Sequence, residues 1–198
     1  MFFFTHLVIA DILYQNFEVE LNKRAFSYGN IKPDLPSEKR NHHTLENYLG
    51  TVSEYSKQLM ENEMTIEEFS VLLGEVCHYV SDFFCYYHLN EDLHNKSFQH
   101  FLYEIRLHFE MLYLRFRKKY VISPGDKEPR KNISSIILEL RKAYLSQPKS
   151  YERDIEYALL ANIWICESIL YYTKNSLQVS KENKQTLNSI LFAKDVDI

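Results

Sequence analysis

Leu72–His88, LLGEVCHYVSDFFCYYH, is the stretch the rest of the chain serves. Its apolar residues recur at helical spacing, so the whole segment is expected to form one helix. His78 and Asp82 stand four residues apart, on one helical face and one turn from each other. His88 closes the segment six residues after Asp82. On a straight helix it points roughly 80° away from His78. The three groups then do not close around one ion and are expected to serve two neighbouring ions. Twelve residues beyond His88, His100 and Glu104 repeat the i, i+4 arrangement within HFLYE. Imidazole and carboxylate are ligands that hold zinc, and two such pairs close in sequence point to a metal site.

A chain of 198 residues is expected to be a single domain over 1–198, long enough to bury a real core. It has 15 Tyr and 13 Phe but 4 Gly and 5 Pro, a balance that favours helices joined by few turns. The net charge of −4 gives no reason to expect general nucleic-acid binding. Three cysteines, Cys77, Cys85 and Cys166, show no CxxC spacing, so neither a disulfide framework nor a thiolate zinc knuckle is indicated. Cys77 and Cys85 lie in apolar helical context and are expected to be buried thiols in a reducing, cytoplasmic setting. The opening MFFFTHLVIADILY lacks the basic region and small-residue cleavage site of a signal peptide. No run reaches the length of a membrane span. Phe2, Phe3 and Phe4 are able to dip into a bilayer, but core packing is the expectation.

Residues 2–16 are expected to form a first helix, with His6 near its start, which residues 17–25 continue or loosen. Gly29, Pro33 and Pro36 are concentrated in 26–42, marking a structured loop with Asp34 between the prolines. His42 and His43 stand at its exit. A second long helix is expected over 43–61. Thr65 and Glu68 have the spacing of a capping box that starts the helix carrying His78. A polar turn covers 89–97. Ser97 is placed to cap a helix running to about Tyr120, with Leu102, Ile105, Phe109, Leu112 and Phe116 inward. RFRKKY at 115–120 reads as a solvated helix end, and 123–131 as a loop. Further helices are expected over 132–146, 151–175 and 180–193, with Ile136, Ile137, Leu140, Tyr144, Ile155, Leu159, Ile163, Cys166, Ile169, Leu170 and Trp164 in the core. Nothing reads as a strand. The fold class is therefore all-α, a compact bundle of about seven helices.

All histidines but His108 fall within the first 104 residues, where most sit near a carboxylate or at a helix or loop edge. A shared metal site in the N-terminal half explains that clustering. Glu75–His78 and Glu91–His94 have the Glu-x-x-His spacing of a di-iron bundle. The two pairs are too close in sequence to face each other at the middle of two long helices, which disfavours that architecture. No His-Asp dipeptide occurs, which disfavours an HD-type phosphohydrolase.

The order THLVIADIL with His6, GNIKPD with Asp34, a His at 42 or 43, LGEVCHYVSD with His78 and Asp82, then His88, then HFLYE with His100 and Glu104 resembles the bacterial zinc-dependent phospholipase C family. The fold of that family is related to single-strand-specific zinc nucleases. The resemblance covers about residues 5–105. It implies that Asp34, His42 or His43, His78 and Asp82 hold one zinc ion, and that His88, His100 and Glu104 hold a second. His6 helps hold a third, with Asp82 bridging and the amine and carbonyl of the mature N-terminal residue completing it. The chain departs from the secreted members in beginning at Met1 and Phe2, where they expose an N-terminal Trp.

The expected function is hydrolysis of a phosphate ester, a phosphodiester or phospholipid head group, by two or three Zn2+ ions that bind phosphate oxygens and activate water. Asp34 is the expected catalytic residue, as general base or to orient the water. Tyr79, Phe83, Tyr86 and Tyr87 are placed either to line a pocket or, as the stronger expectation, to pack in the core. Two other functions fit the same ligands: a metal-binding structural or sensor protein without turnover, and a zinc-dependent nuclease.

Overall fold

A computed structural model describes residues 1–17, 19–36, 42–117 and 127–193, with side chains described up to residue 173. Among the described residues there are eight α-helices and no strand: α1 Phe3–Asn16, α2 Lys23–Gly29, α3 Leu45–Glu61, α4 Ile66–Phe83, α5 Glu91–His94, α6 Ser97–Phe116, α7 Ile133–Leu145 and α8 Tyr151–Ala193. Single 3-10 turns at Lys32–Asp34 and Tyr86–His88 carry two of the candidate site residues. No described helix is long and apolar enough to cross a membrane.

Helix α4 is the central element. It packs on α2, α3 and α8, and its run from Gly74 to Phe83 is buried without interruption. The Thr65 hydroxyl accepts from the Glu68 N–H while the Glu68 carboxylate accepts from the Thr65 N–H, so the capping box forms at its start. The core residues expected on α7 and α8 are buried, Trp164 among them, except Leu170, which is half-buried against the core. Cys77 of α4 and Cys166 of α8 meet in that core, with sulfurs 3.4 Å apart, and all three cysteines are free and buried. Tyr79, Phe83 and Tyr87 are core residues too.

Four expectations need correction. The segment 72–88 is not one helix. It ends at Phe83, because Arg141 of α7 donates to the carbonyl oxygens of Phe83 and Leu89 and so satisfies the end of α4 from outside. Residues 23–29 form α2 where a loop was expected from residue 26: the Asn22 side chain caps Ala25 N–H at 3.1 Å, and Gly29 ends the helix instead of breaking it earlier. The helices expected at 151–175 and 180–193 are one continuous helix of 43 residues. Finally, α6 is turned relative to the expectation. Its buried stripe is His100, Tyr103, Leu107 and Met111, whereas Leu102, Phe109, Leu112 and Phe116 are exposed, and Ser97 is its first turn rather than its cap. Phe4 is likewise exposed, and Phe2 and Phe3 are half-buried rather than core. The ends expected near Tyr120 and within 118–126 lie outside the described residues.

Helix α2 lies against α4 at glycine. A Cβ added to Gly74 would run into the Phe26 carbonyl oxygen, and one added to Gly29 into the Val71 carbonyl oxygen. Both obstacles are backbone, which cannot rotate away, so the two helices approach this closely because neither has a side chain there. At Gly50 of α3 nothing lies within 4 Å of the added atom. Gly74→Ala is therefore expected to destabilise the fold by about 3 kcal/mol. Gly50→Ala, in a helix interior with open space around it, is expected to stabilise it by roughly 0.5–1 kcal/mol. Urea denaturation midpoints of the two variants check the contrast.

Candidate metal centre

The two i, i+4 pairs expected from sequence end up on α4 and α6; His100 and Glu104 line a cavity of about 510 Å³ together with Asp34, His43 and His88, and His78 and Asp82 lie fully buried behind it. On α4, the His78 Nδ1–H donates to the Asn30 carbonyl oxygen at 2.9 Å, a bond made possible by the close approach of α2. That fixes the tautomer and leaves Nε2 as a lone pair. It faces His43 Nδ1 at 2.9 Å, Asp82 Oδ2 at 3.3 Å and Asp34 Oδ1 at 3.5 Å. His43 Nδ1 is itself 3.0 Å from Asp82 Oδ2. Of the adjacent pair, His43 reaches this group; the His42 ring lies on His94 instead, with centroids 3.9 Å apart.

On α6, the same device recurs. The His100 Nδ1–H donates to the His94 carbonyl oxygen at 3.3 Å, so its Nε2 faces Glu104 Oε1 at 2.7 Å and His88 Nε2 at 3.1 Å. His88 Nε2 is 2.9 Å from the same carboxylate oxygen, and His88 Nδ1 is 3.6 Å from Asp82 Oδ2. The end of α4 at Phe83 brings this about. The chain turns at Phe84 and Cys85, so His88 returns to Asp82 instead of travelling away along a helix.

His6 of α1 completes the ring around Asp82. It is fully buried and stacked on His78, with centroids 4.0 Å apart. Its Nε2 lies 3.4 Å from Asp82 Oδ1 and 4.0 Å from Asp34 Oδ2, and neither ring nitrogen has a hydrogen-bond partner. The Met1 amine sits against Asp82 Oδ1, 3.0 Å from His88 Nε2 and 3.2 Å from Glu104 Oε1.

Four groups have donor atoms close enough together to hold an ion: His6, His78 and Asp82; Asp34, His43 and His78; His88, His94 and His100; and Cys85, His88 and Glu104. The donor set fits zinc on its own chemistry. The Nε2 atoms of His78 and His100 point at carboxylate oxygens, an arrangement that a proton or a metal cation between the two atoms satisfies. His6 offers two buried nitrogens that nothing satisfies. Burial pushes the Asp82 carboxyl up, but His88, the Met1 amine, His78 and His6 outweigh it and hold it well below the ordinary carboxylate range. Glu104 is held low in the same way: burial opposes it, while the Met1 amine, His100 and His88 prevail. Neutral imidazoles and ionised carboxylates are the forms that ligate metal.

Four residues that position these groups carry no motif in the sequence. Asn30 and His94 act through backbone carbonyls, as above. Arg141 holds both ends of the turn 84–89. Asp154 of α8, fully buried, accepts from the Tyr86 N–H at 2.7 Å, the Tyr103 hydroxyl at 3.0 Å and the Tyr144 hydroxyl at 2.9 Å, and pairs with Arg153. It thereby fixes the first residue of the turn carrying His88 and the neighbour of Glu104. The trace of these roles in sequence is, for Arg141 and Asp154, their polar character within apolar helical stripes, and for Asn30 and His94 their neighbourhood to candidate ligands in GNIKPD and in the 89–97 turn. Asp154→Ala is expected to lower stability by about 3–5 kcal/mol, because it leaves Arg153 buried without its partner, a loss that a urea unfolding curve would register.

The metal-free protein should also lose stability in mild acid. Burial, with the neighbouring His78, holds the His6 pKa down at about 4, against 6.5 ordinarily. Below pH 6.5 the unfolded chain binds a proton at His6 that the folded chain refuses. The stability present above pH 6.5 is therefore lost as pH falls towards 4, by on the order of 3 kcal/mol. Thermal melts of chelator-treated protein between pH 7.5 and 4 are expected to show this slope, and His6→Asn is expected to flatten it.

A family model described as zinc dependent phospholipase C matches residues 5–151, which takes in every candidate ligand of α1, the 30–44 connection, α4 and α6. Searches of curated proteins and of solved structures returned no match. With three quarters of its length matched and the donor groups of that family's name gathered around Asp82, the chain belongs to the zinc-dependent phospholipase C family.

Proposed function

We propose that the protein hydrolyses a phosphodiester of the phospholipid type, with two or three zinc ions gathered about Asp82. In this assignment Asp34, His43, His78 and Asp82 hold one ion, and His88, His100 and Glu104 hold a second. His6 and Asp82 would hold a third. Such ions supply phosphate binding, hydroxide at neutral pH and neutralisation of the leaving oxygen. The chain's own residues do the rest. Asp34 stands at the cavity wall with its carboxylate partly exposed, placed to accept a proton from the attacking water. The Asn30 and His94 carbonyls keep His78 and His100 in one tautomer. Phe2, Phe3 and Leu35 form the apolar part of the cavity wall.

One observation carries the assignment. Two histidines on different helices each spend Nδ1–H on a backbone carbonyl and direct a lone pair at a carboxylate, and both groups converge on Asp82. Zinc-loaded protein is expected to cleave bis(p-nitrophenyl) phosphate. Asp82→Asn is expected to lose metal and to lower the rate by more than about 100-fold, since even partners behind the ligands are worth 10–100-fold. Metal bound without any turnover would favour the structural or sensor function; cleavage of single-stranded DNA in preference would favour the nuclease.

A lipid substrate is supported over nucleic acid by the net charge of −4 and by the outer face of α6. Phe109 and Phe116 are 65% and 87% exposed there, and Phe98, Phe101 and Tyr113 are exposed beside them. Aromatic contacts join the cavity wall to this face. Phe2 lies 5.6 Å from His108, and His108 lies 6.1 Å from Phe109. Phe3 lies 5.5 Å from Phe4, which is 53% exposed. Replacing Phe4 and Phe109 by Ser together is expected to weaken sedimentation with phosphatidylcholine vesicles by about tenfold or more. Cleavage of the soluble chromogenic ester should be unchanged by the same pair of substitutions. Unaltered vesicle binding would remove this support for a lipid surface.

A further inference from the structure

The His94 imidazole is not among the residues the family resemblance assigns, yet it stands beside His88 and His100, two of the residues assigned to the second ion. Donor atoms of His88, His94 and His100 lie within 4.8 Å of one another. The three rings are steeply inclined to each other, at 88° for His88 and His94, 84° for His88 and His100, and 71° for His94 and His100. Steep inclination is also what three imidazoles around one tetrahedral ion would show. His88 and His100 are buried and His94 is half-buried, so three polar rings meet beside the Glu104 carboxylate largely away from bulk water.

The ring is also held in place. Helix α5 is short, but the Asn90 side chain caps it at the Leu93 N–H, 3.0 Å away, and Glu91 accepts from the Asn47 side chain of α3 at 3.3 Å. His42 covers the outer side of the His94 ring. The His94 carbonyl is engaged at the same time by the Nδ1–H of His100. One residue therefore orients a neighbouring ligand through its backbone and presents its own side chain to the same space.

We infer that His94 is a fourth protein ligand of the ion held by His88, His100 and Glu104, so that this ion is enclosed by three imidazoles and a carboxylate. The inference rests on the assignment of a metal ion to His88, His100 and Glu104 made above. Four protein ligands close a tetrahedral zinc site, whereas water activation needs an open position. Water activation would then fall to the Asp34 side of the cavity, and His88, His94, His100 and Glu104, joined at one ion, would tie α6 to the turn 84–89.

The test uses the full chain loaded with cobalt(II), whose visible absorption is more intense in four-coordinate than in five- or six-coordinate sites. Wild-type protein is expected to show an intense four-coordinate band. His94→Ala keeps the backbone carbonyl that orients His100, so it removes the ring alone. It is expected to lose that band, to give up one ion per chain to a competing chelator at more than tenfold lower chelator concentration, and to recover part of the band on adding imidazole. His94→Asn is expected to behave alike, and circular dichroism checks that both variants fold. Unchanged spectrum and chelator resistance in both folded variants would overturn the role of His94. If His88→Ala also left metal content unchanged, the failure would lie in the underlying metal assignment, and the inference would fall with it.

Discussion

The Asp82 carboxylate has no exposure to water, and four histidines and the Met1 amine crowd around it. Burying an ionised carboxylate costs several kcal/mol unless positive charge answers it. The remaining features of the site follow from that constraint. His88, the Met1 amine, His78 and His6 answer part of that charge. Cations placed between the lone pairs answer it fully.

The fold is built to hold those lone pairs still. The Gly29 and Gly74 contact lets α2 come close enough for the Asn30 carbonyl to reach His78. Arg141 and Asp154, from two helices far along the chain, pin the turn that swings His88 back to Asp82. The long helices α7 and α8 thus contribute no candidate ligand but fix the angles at which ligands meet. A ligand displaced by an ångström loses its place in a tetrahedral site, which is why so much buried polar structure stands behind the metal centre.

Local chemistry in this chain is legible from sequence, and long-range geometry is not. The Thr65 and Glu68 capping box, the two i, i+4 pairs and the all-α class depend on residues within a turn or two of each other. The end of α4 depends on Arg141, 58 residues from the carbonyl it satisfies, and Phe84–Cys85 contains no Gly or Pro to announce a stop. Helix α6 carries two apolar stripes. Phe98, Leu102, Ile105, Phe109, Leu112 and Phe116 are the more regular, but the stripe that faces inward contains His100, a polar residue that pattern reading sends outward. His94 looks like a turn histidine from its polar surroundings, and its place beside His88 and His100 emerges when the 84–97 connection folds back on itself.

The most direct test of a metal cluster centred on Asp82 is anomalous diffraction at the zinc edge from crystals of protein purified with zinc. Two or three strong peaks are expected close to Asp82. One should lie between His78 and Asp34, and one among His88, His94, His100 and Glu104. Electron density in which Asp82 is met by protonated histidines and the Met1 amine alone, with no anomalous peak nearby, would contradict the cluster.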